Sequence, residues 1–126
     1  MPESTQNGLA YLDGKTNEYY QVGLLSEAEA ARQHIKWYTE LDSISLKRNI
    51  EAVKKYDEER TARLNRSYDL IKEVCEDNND LESKAINYLQ SRTNSELSDF
   101  IVSYNEYGET YLYSVLGLQS RLHSHK

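Results

Sequence analysis

The C-terminal part of the chain decides the fold, because residues 97–122 read LSDFIVSYNEYGETYLYSVLGLQSRL. Apolar and tyrosine side chains recur in this stretch at alternating spacings of four and three residues. Such a repeat lines one face of an α-helix and is typical of helices that pack against one another. The pattern therefore predicts a helix that carries a self-association seam. The seam consists of Leu97, Ile101, Tyr104, Gly108, Tyr111, Val115, Leu118 and Leu122.

Gly108 is the one seam position without a side chain. Glycine costs the interior of a helix about 1 kcal/mol relative to alanine. Its place on the seam indicates either close approach by a bulky neighbour or a local bend, and the sequence pattern leaves both readings open.

Two more helical patterns precede this stretch. Ser26 and Glu29 have the spacing of a capping box, which predicts that a helix begins at Ser26. A longer amphipathic pattern covers residues 46–76, and its apolar stripe lapses where Asp57 and Arg60 fall on the inner face. This polar interruption either sets register or oligomeric state, as polar core residues do in coiled coils, or marks the end of a partner helix.

Three weaker spots divide the helical region. Residues 42–45 hold no proline or glycine, so they form either a tight turn or a weak patch in a continuous helix. Acidic and amide side chains at residues 76–80 predict a break, with Asp80 as the N-cap of a shorter helix. Thr93 and Glu96 repeat the capping-box spacing and predict the start of the last helix.

The N-terminal segment, residues 1–23, has a different pattern. Two short runs rich in β-favouring side chains flank the pair Asp13-Gly14, and an Asp-Gly step between such runs is a hairpin signal. We therefore expect a short β-hairpin or an extended arm here. Residues 24–126 then form a mainly α domain, an antiparallel bundle of three to four helices with two long amphipathic ones and a frayed C-terminal tail.

Composition restricts the class of protein. The 126 residues carry a formal net charge of −6, which disfavours nucleic-acid binding because phosphate affinity depends on basic side chains. The single cysteine, Cys75, favours a reducing compartment. No apolar run is long enough to span a membrane, and the N-terminus shows no signal-peptide pattern. We therefore expect a cytoplasmic protein.

Charge is distributed unevenly along the chain. Residues 44–72 hold eight basic and five acidic side chains, a net of +3, whereas residues 73–113 hold two basic and nine acidic ones, a net of −7. Antiparallel self-association would bring these segments together favourably, and so would packing within one monomer. The two long seams carry more apolar surface than one pair of helices can bury. We therefore expect a homodimer.

Nothing in the sequence resembles a catalytic or metal-binding motif. No motif pairs a nucleophile with a base, and Cys75 on the apolar stripe is typical of a small core residue. The acidic residues at positions 73–80 lack the alternating spacing and central glycine of a calcium loop. We expect neither an enzyme nor a bound cofactor or metal.

Tyrosine is the unusual component, with eleven copies against one phenylalanine. Tyrosine suits half-buried seams and binding surfaces alike, since it combines apolar area with a polar hydroxyl. The sequence therefore predicts a protein-interaction module that self-associates and binds a partner protein, as an inhibitor or adaptor. Its predicted partner-binding residues are Trp37, Tyr38, Tyr107, Tyr113, Glu106 and Glu109.

Two alternatives stay open. The protein could be a structural subunit of a larger assembly that uses its N-terminal arm. It could also associate with nucleic acid through the basic face of the long helix, which carries Lys47, Arg48, Lys54, Lys55, Arg63 and Arg66. Glutamates share that basic face, so a solvated face with internal ion pairs is the competing interpretation.

Overall fold

The computed structural model describes residues 3–37 and 43–118, and these residues form six helices and no strand. The predicted mainly α class is therefore confirmed. No helix in the described ranges is both long enough and apolar enough to cross a bilayer. The helices are α1 (Glu3–Gln21), α2 (Leu25–Lys36), α3 (Ser43–Cys75), α4 (Asn79–Gln90), α5 (Asn94–Tyr107) and α6 (Glu109–Val115).

The N-terminal segment is a helix and not the expected hairpin or arm. Leu12, Thr16 and Tyr19 are buried, and their spacing of four and three residues places them on one face of α1. Gly14 is exposed on the helix, and outside the adjoining backbone of α1 no described residue has an atom within 4 Å of the place where a Cβ would lie. Burial of one face of α1 thus outweighs the local turn preference of the Asp-Gly pair.

The chain forms two compact units, residues 1–59 and 60–126, and the division falls within α3. In the first unit, Leu12 packs with Leu46 and Ile50, and Ile35 joins this cluster. A second cluster contains Tyr19 and Ala28, and Tyr56 of α3 packs against it. From the first cluster to the second, the residue numbers increase in α1 and α3 and decrease in α2. Helix α2 therefore runs antiparallel to α1 and to the first half of α3.

The turn between α1 and α2 explains why the predicted cap at Ser26 does not form. Gly23 has a φ of 83°, and its amide donates to the Tyr20 carbonyl while the Leu24 amide donates to the Tyr19 carbonyl. This pair of hydrogen bonds is a Schellman motif, which ends α1 and places buried Leu24 at the start of α2. Ser26 then falls inside the first turn, and α2 begins without a side-chain cap.

The second unit consists of the second half of α3 followed by α4, α5 and α6. Its core is larger and contains Ile71, Cys75, Leu81, Ala85, Leu89, Leu97, Phe100, Leu112 and Tyr113. Helix α4 is capped by Asn78, whose side chain accepts from the Leu81 amide, and not by Asp80 as predicted. The predicted capping box of Thr93 and Glu96 is confirmed at the start of α5.

The polar interruption of α3 lies where the helix passes from one unit to the other. Asp57 belongs to the first unit, where its carboxylate accepts hydrogen bonds from Lys15 Nζ at 2.8 Å and from the Tyr19 hydroxyl at 3.1 Å. Arg60 belongs to the second unit, is 5% exposed, and donates to the Gln90 and Arg92 carbonyls. The apolar stripe lapses because both positions bind polar groups of other segments.

The predicted weak spot at residues 42–45 is partly described. Residue 42 lies outside the described residues, as do residues 38–41, and α3 begins at Ser43.

Candidate functional site

The predicted C-terminal seam does not lie on one continuous helix. Gly108 has φ 66° and ψ −144°, a conformation that is nearly exclusive to glycine, and it separates α5 from α6. Apart from Gly108 and its two chain neighbours, no described residue has an atom within 4 Å of the place where its Cβ would be. Of the two readings of this glycine, the structure therefore shows the local bend and not a close approach.

The bend redistributes the seam side chains within the second unit. Leu97 is fully buried in the core, together with two residues outside the predicted seam, Phe100 and Leu112. Four seam residues pack against the edge of this core: Tyr104, Tyr111, Val115 and Leu118. Ile101 is half-buried, and Leu122 lies outside the described residues. Much of the predicted self-association seam is thus covered by the chain itself.

The predicted partner-binding residues are divided between the two units. Trp37 is 41% exposed at the end of α2 in the first unit, with its ring 6.0 Å from that of His34. Tyr38 lies outside the described residues. Tyr113 is only 6% exposed and belongs to the core of the second unit, so its side chain does not lie on the predicted partner surface.

The remaining three predicted residues lie together at the α5–α6 junction, which we define as residues 102–109. Tyr107 is 63% exposed and Glu106 is exposed, while Glu109 is half-buried in the first turn of α6. Val102, four residues before Glu106 and on the same face of α5, is 65% exposed. This short segment thus carries two exposed large hydrophobic side chains and two carboxylates.

Tyr104 links this junction to the end of α3. Its pKa is raised chiefly by burial, and also by electrostatic interactions with Glu109, Cys75 and Glu73. Carboxylates from α3 and α6 therefore lie near one half-buried hydroxyl. The sequence could not reveal this convergence, because Glu73 and Glu109 are far apart in the chain.

An open groove of about 870 Å³ lies between the end of α3 and α4. We call it the acidic groove. Its lining residues are Tyr68, Asp69, Ile71, Lys72, Glu73, Cys75, Glu76, Asp77, Glu82 and Ile86. Five of them are carboxylates and only one is a lysine, so the groove is strongly acidic. The sequence pattern singled out part of this cluster but did not predict the groove.

The reactive groups that line the groove include one thiol, that of Cys75, and five carboxylates. Burial and the neighbouring Glu82 raise the pKa of the Cys75 thiol, which disfavours the reactive thiolate. Among the described residues, no three histidine, cysteine, aspartate or glutamate side chains are arranged so that they could hold a metal ion. The groove offers an apolar floor and negative charge, which are features of a binding surface.

The basic face of α3 is partly occupied by contacts within the chain. Lys54 Nζ lies 5.3 Å from the centre of the Tyr11 ring, a cation–π arrangement. Arg63 Nε donates to the Ser98 hydroxyl at 2.9 Å. These two side chains already have structural partners, which favours the interpretation of this face as part of the fold.

No protein-family model, curated protein or solved structure matches this chain. Its function is therefore inferred from the geometry and charge of its own surfaces.

Proposed function

We propose that the protein is a non-enzymatic interaction module that binds a basic partner protein through the α5–α6 junction. The observation that carries the proposal is that Val102 and Tyr107, which are 65% and 63% exposed, lie in the same eight-residue segment as the carboxylates of Glu106 and Glu109. Exposed apolar side chains that are rimmed by polar ones are characteristic of binding sites. Tyrosine is enriched among the residues that dominate binding energy.

The charge of the junction selects the kind of partner. Residues 73–113 have a net charge of −7, and Glu73 and Glu109 both lie near Tyr104. Complementary charge speeds encounter and discriminates against wrong partners. A basic protein surface, such as the cleft of a nucleic-acid-binding enzyme, is the complement, and covering that cleft would make this protein an inhibitor or adaptor.

We retain self-association as part of the proposal. A homodimer would complete an antiparallel helical bundle by covering apolar side chains that one copy leaves exposed, such as Leu25 at 61% and Ile44 at 65%. The cytoplasm is the compartment we propose. Light scattering behind size exclusion, run at several protein concentrations, should give twice the chain mass. A monomer mass at every concentration would remove self-association from the proposal and leave partner binding unaffected.

Affinity capture with matched variants tests the proposed binding face. The variant Glu106→Lys/Glu109→Gln changes the charge of the junction by +3. Glutamine is chosen at position 109 because a lysine in the first turn of α6 would oppose the helix dipole. The control Glu51→Lys/Glu58→Gln makes the same charge change at exposed positions of the first unit.

A partner should be retained by the wild type and the control and lost from the junction variant, while circular dichroism shows equal helicity for all three. Retention should also weaken with added salt, because exposed charges are screened. Equal retention by the junction variant and the wild type would exclude this face as the binding site.

A further inference from the structure

We infer that the acidic groove binds a basic amphipathic helix. This inference rests on the proposed function, since it specifies which structural class of basic partner the second unit recognises and where. The groove follows α3 from Tyr68 to Cys75, where the helix ends. Seven steps of 1.5 Å make this length roughly 10 Å, or about two helical turns. A docked helix needs about this length to place apolar anchors at successive turns.

The groove has an apolar floor formed by side chains of α3 and α4. Ile71 and Cys75, which are 3% and 4% exposed, belong to its lining, and the half-buried Ile86 of α4 offers more apolar surface. Tyr68 is half-buried at one end, and burial raises the pKa of its hydroxyl. The ring therefore stays neutral and adds apolar area to the floor.

The rim of the groove provides the charge that selects a basic helix. Asp69, Glu73, Glu76, Asp77 and Glu82 form no ion pair with any other residue in the described part of the chain. With Lys72 they give the lining a net charge of −4, five carboxylates less one ammonium. Lysine and arginine side chains that flank the anchors of a docked helix would reach these carboxylates, whereas an acidic or phosphate-bearing ligand would be repelled.

A binding assay with synthetic peptides tests the groove directly. The probe is a fluorescently labelled peptide of about 18 residues, five turns long, in which leucine and lysine recur at helical spacing. Its control has the same composition in an order that gives no apolar face. Fluorescence anisotropy with the full chain should show at least about tenfold tighter binding of the amphipathic peptide, because only that peptide can fill the floor.

Charge reversal locates the binding site. Asp69→Lys/Glu73→Lys changes two exposed rim positions of α3 and should weaken binding of the amphipathic peptide about tenfold. Glu51→Lys/Glu58→Lys makes the same total charge change on the same helix but in the first unit, and it should change the affinity less than twofold. Circular dichroism establishes that both variants are folded.

Three results would overturn the inference. Equal affinity for the two peptides would mean that the acidic chain attracts any cationic peptide. Equal loss of peptide affinity in the two double variants would lead to the same conclusion. If Asp69→Lys/Glu73→Lys changed the oligomeric mass of the chain in light scattering, the occupant of the groove would be a second copy of the chain. Loss of partner capture by the junction variant, together with failure of these peptide tests, would remove the groove and leave the proposed function in place.

Discussion

Replacing Arg60 by methionine should destabilise the second unit by about 2–4 kcal/mol. The guanidinium is 5% exposed and donates to the main-chain carbonyls of Gln90 and Arg92 at the C-terminal end of α4. Methionine keeps most of the apolar length of the side chain but donates no hydrogen bond. The substitution therefore leaves two acceptors near the negative end of a helix dipole without their charged donor.

The magnitude follows from these two hydrogen bonds. A hydrogen bond to a charged group contributes roughly 1.5–3 kcal/mol net, so the two together contribute about 3–6 kcal/mol. Removing a buried cation also removes its desolvation cost, which offsets part of this loss. Arg92 remains near the same helix end, with its Nε donating to the Tyr88 carbonyl at 3.2 Å. The expected net change therefore lies near the lower end of that sum.

Urea unfolding followed by far-ultraviolet circular dichroism measures this change. The control is Arg66→Met, which removes the same charge from an exposed position on the same helix and should alter stability by less than about 0.5 kcal/mol. Trp37, the only tryptophan, lies in the first unit, so its fluorescence reports whether that unit unfolds at the same urea concentration. Equal unfolding free energies for the two variants would refute the assignment of Arg60 as a cap of α4.

Three further predictions concern backbone and electrostatic features. Gly108→Ala should lower the free energy of unfolding by about 1–3 kcal/mol, because Gly108 has a φ of 66°. Gly14→Ala should stabilise α1 by about 0.5–1 kcal/mol. Thermal unfolding of the two variants compares these effects. Thr93→Ala should lower the free energy of unfolding by about 1 kcal/mol, because it removes the side-chain cap of α5. Ser26→Ala should change the free energy of unfolding by less than about 0.5 kcal/mol, because Ser26 does not cap α2. A larger loss for Ser26→Ala than for Thr93→Ala would contradict the structure. Burial lowers the pKa of Lys15, but hydrogen bonds to two carboxylates outweigh this effect and raise the pKa above 10.5. The contribution of Lys15 to stability is therefore complete below pH 10.5 and is lost as the pH rises through the folded-state pKa. Urea unfolding across this pH range should show that loss.

The helices of the second unit were the most predictable part of the fold. The capping box of Thr93 and Glu96 is a local signal, and the structure contains it at the start of α5. The start of α4 was predicted two residues late, at Asp80, because several adjacent side chains can cap a helix. Sequence alone does not show which of them has its oxygen near a free amide.

The misassigned segments show where local signals mislead. The Asp13-Gly14 pair favours a turn, yet α1 forms because Leu12 and Tyr19 gain burial from α2 and α3, which only the assembled unit supplies. The heptad pattern of the last segment runs through Gly108 without interruption, but the positive φ at that residue breaks the helix. Periodicity does not reveal such a backbone conformation.

The candidate site was predictable only in part. Exposure of Glu106 and Tyr107 follows from the polar sequence around them. The acidic groove depends on the angle at which α4 returns along α3 after the turn at Asp77, whose φ is 64°. The sequence identifies the polar residues within the α3 stripe but not their partners. These partners are carbonyls at the end of α4 and side chains of α1, and they lie 30 or more residues away in the chain.

Site-specific photo-crosslinking tests the central claim, that the α5–α6 junction is a binding surface for a basic protein. A photoreactive phenylalanine analogue would replace Tyr107, and in a control chain it would replace exposed Asn17 of α1. In extracts of the source cells, the analogue at position 107 should crosslink to a basic protein, and adding Glu106→Lys should abolish that crosslink. The same crosslinked protein at position 17, or a crosslink at position 107 that survives Glu106→Lys, would contradict the account.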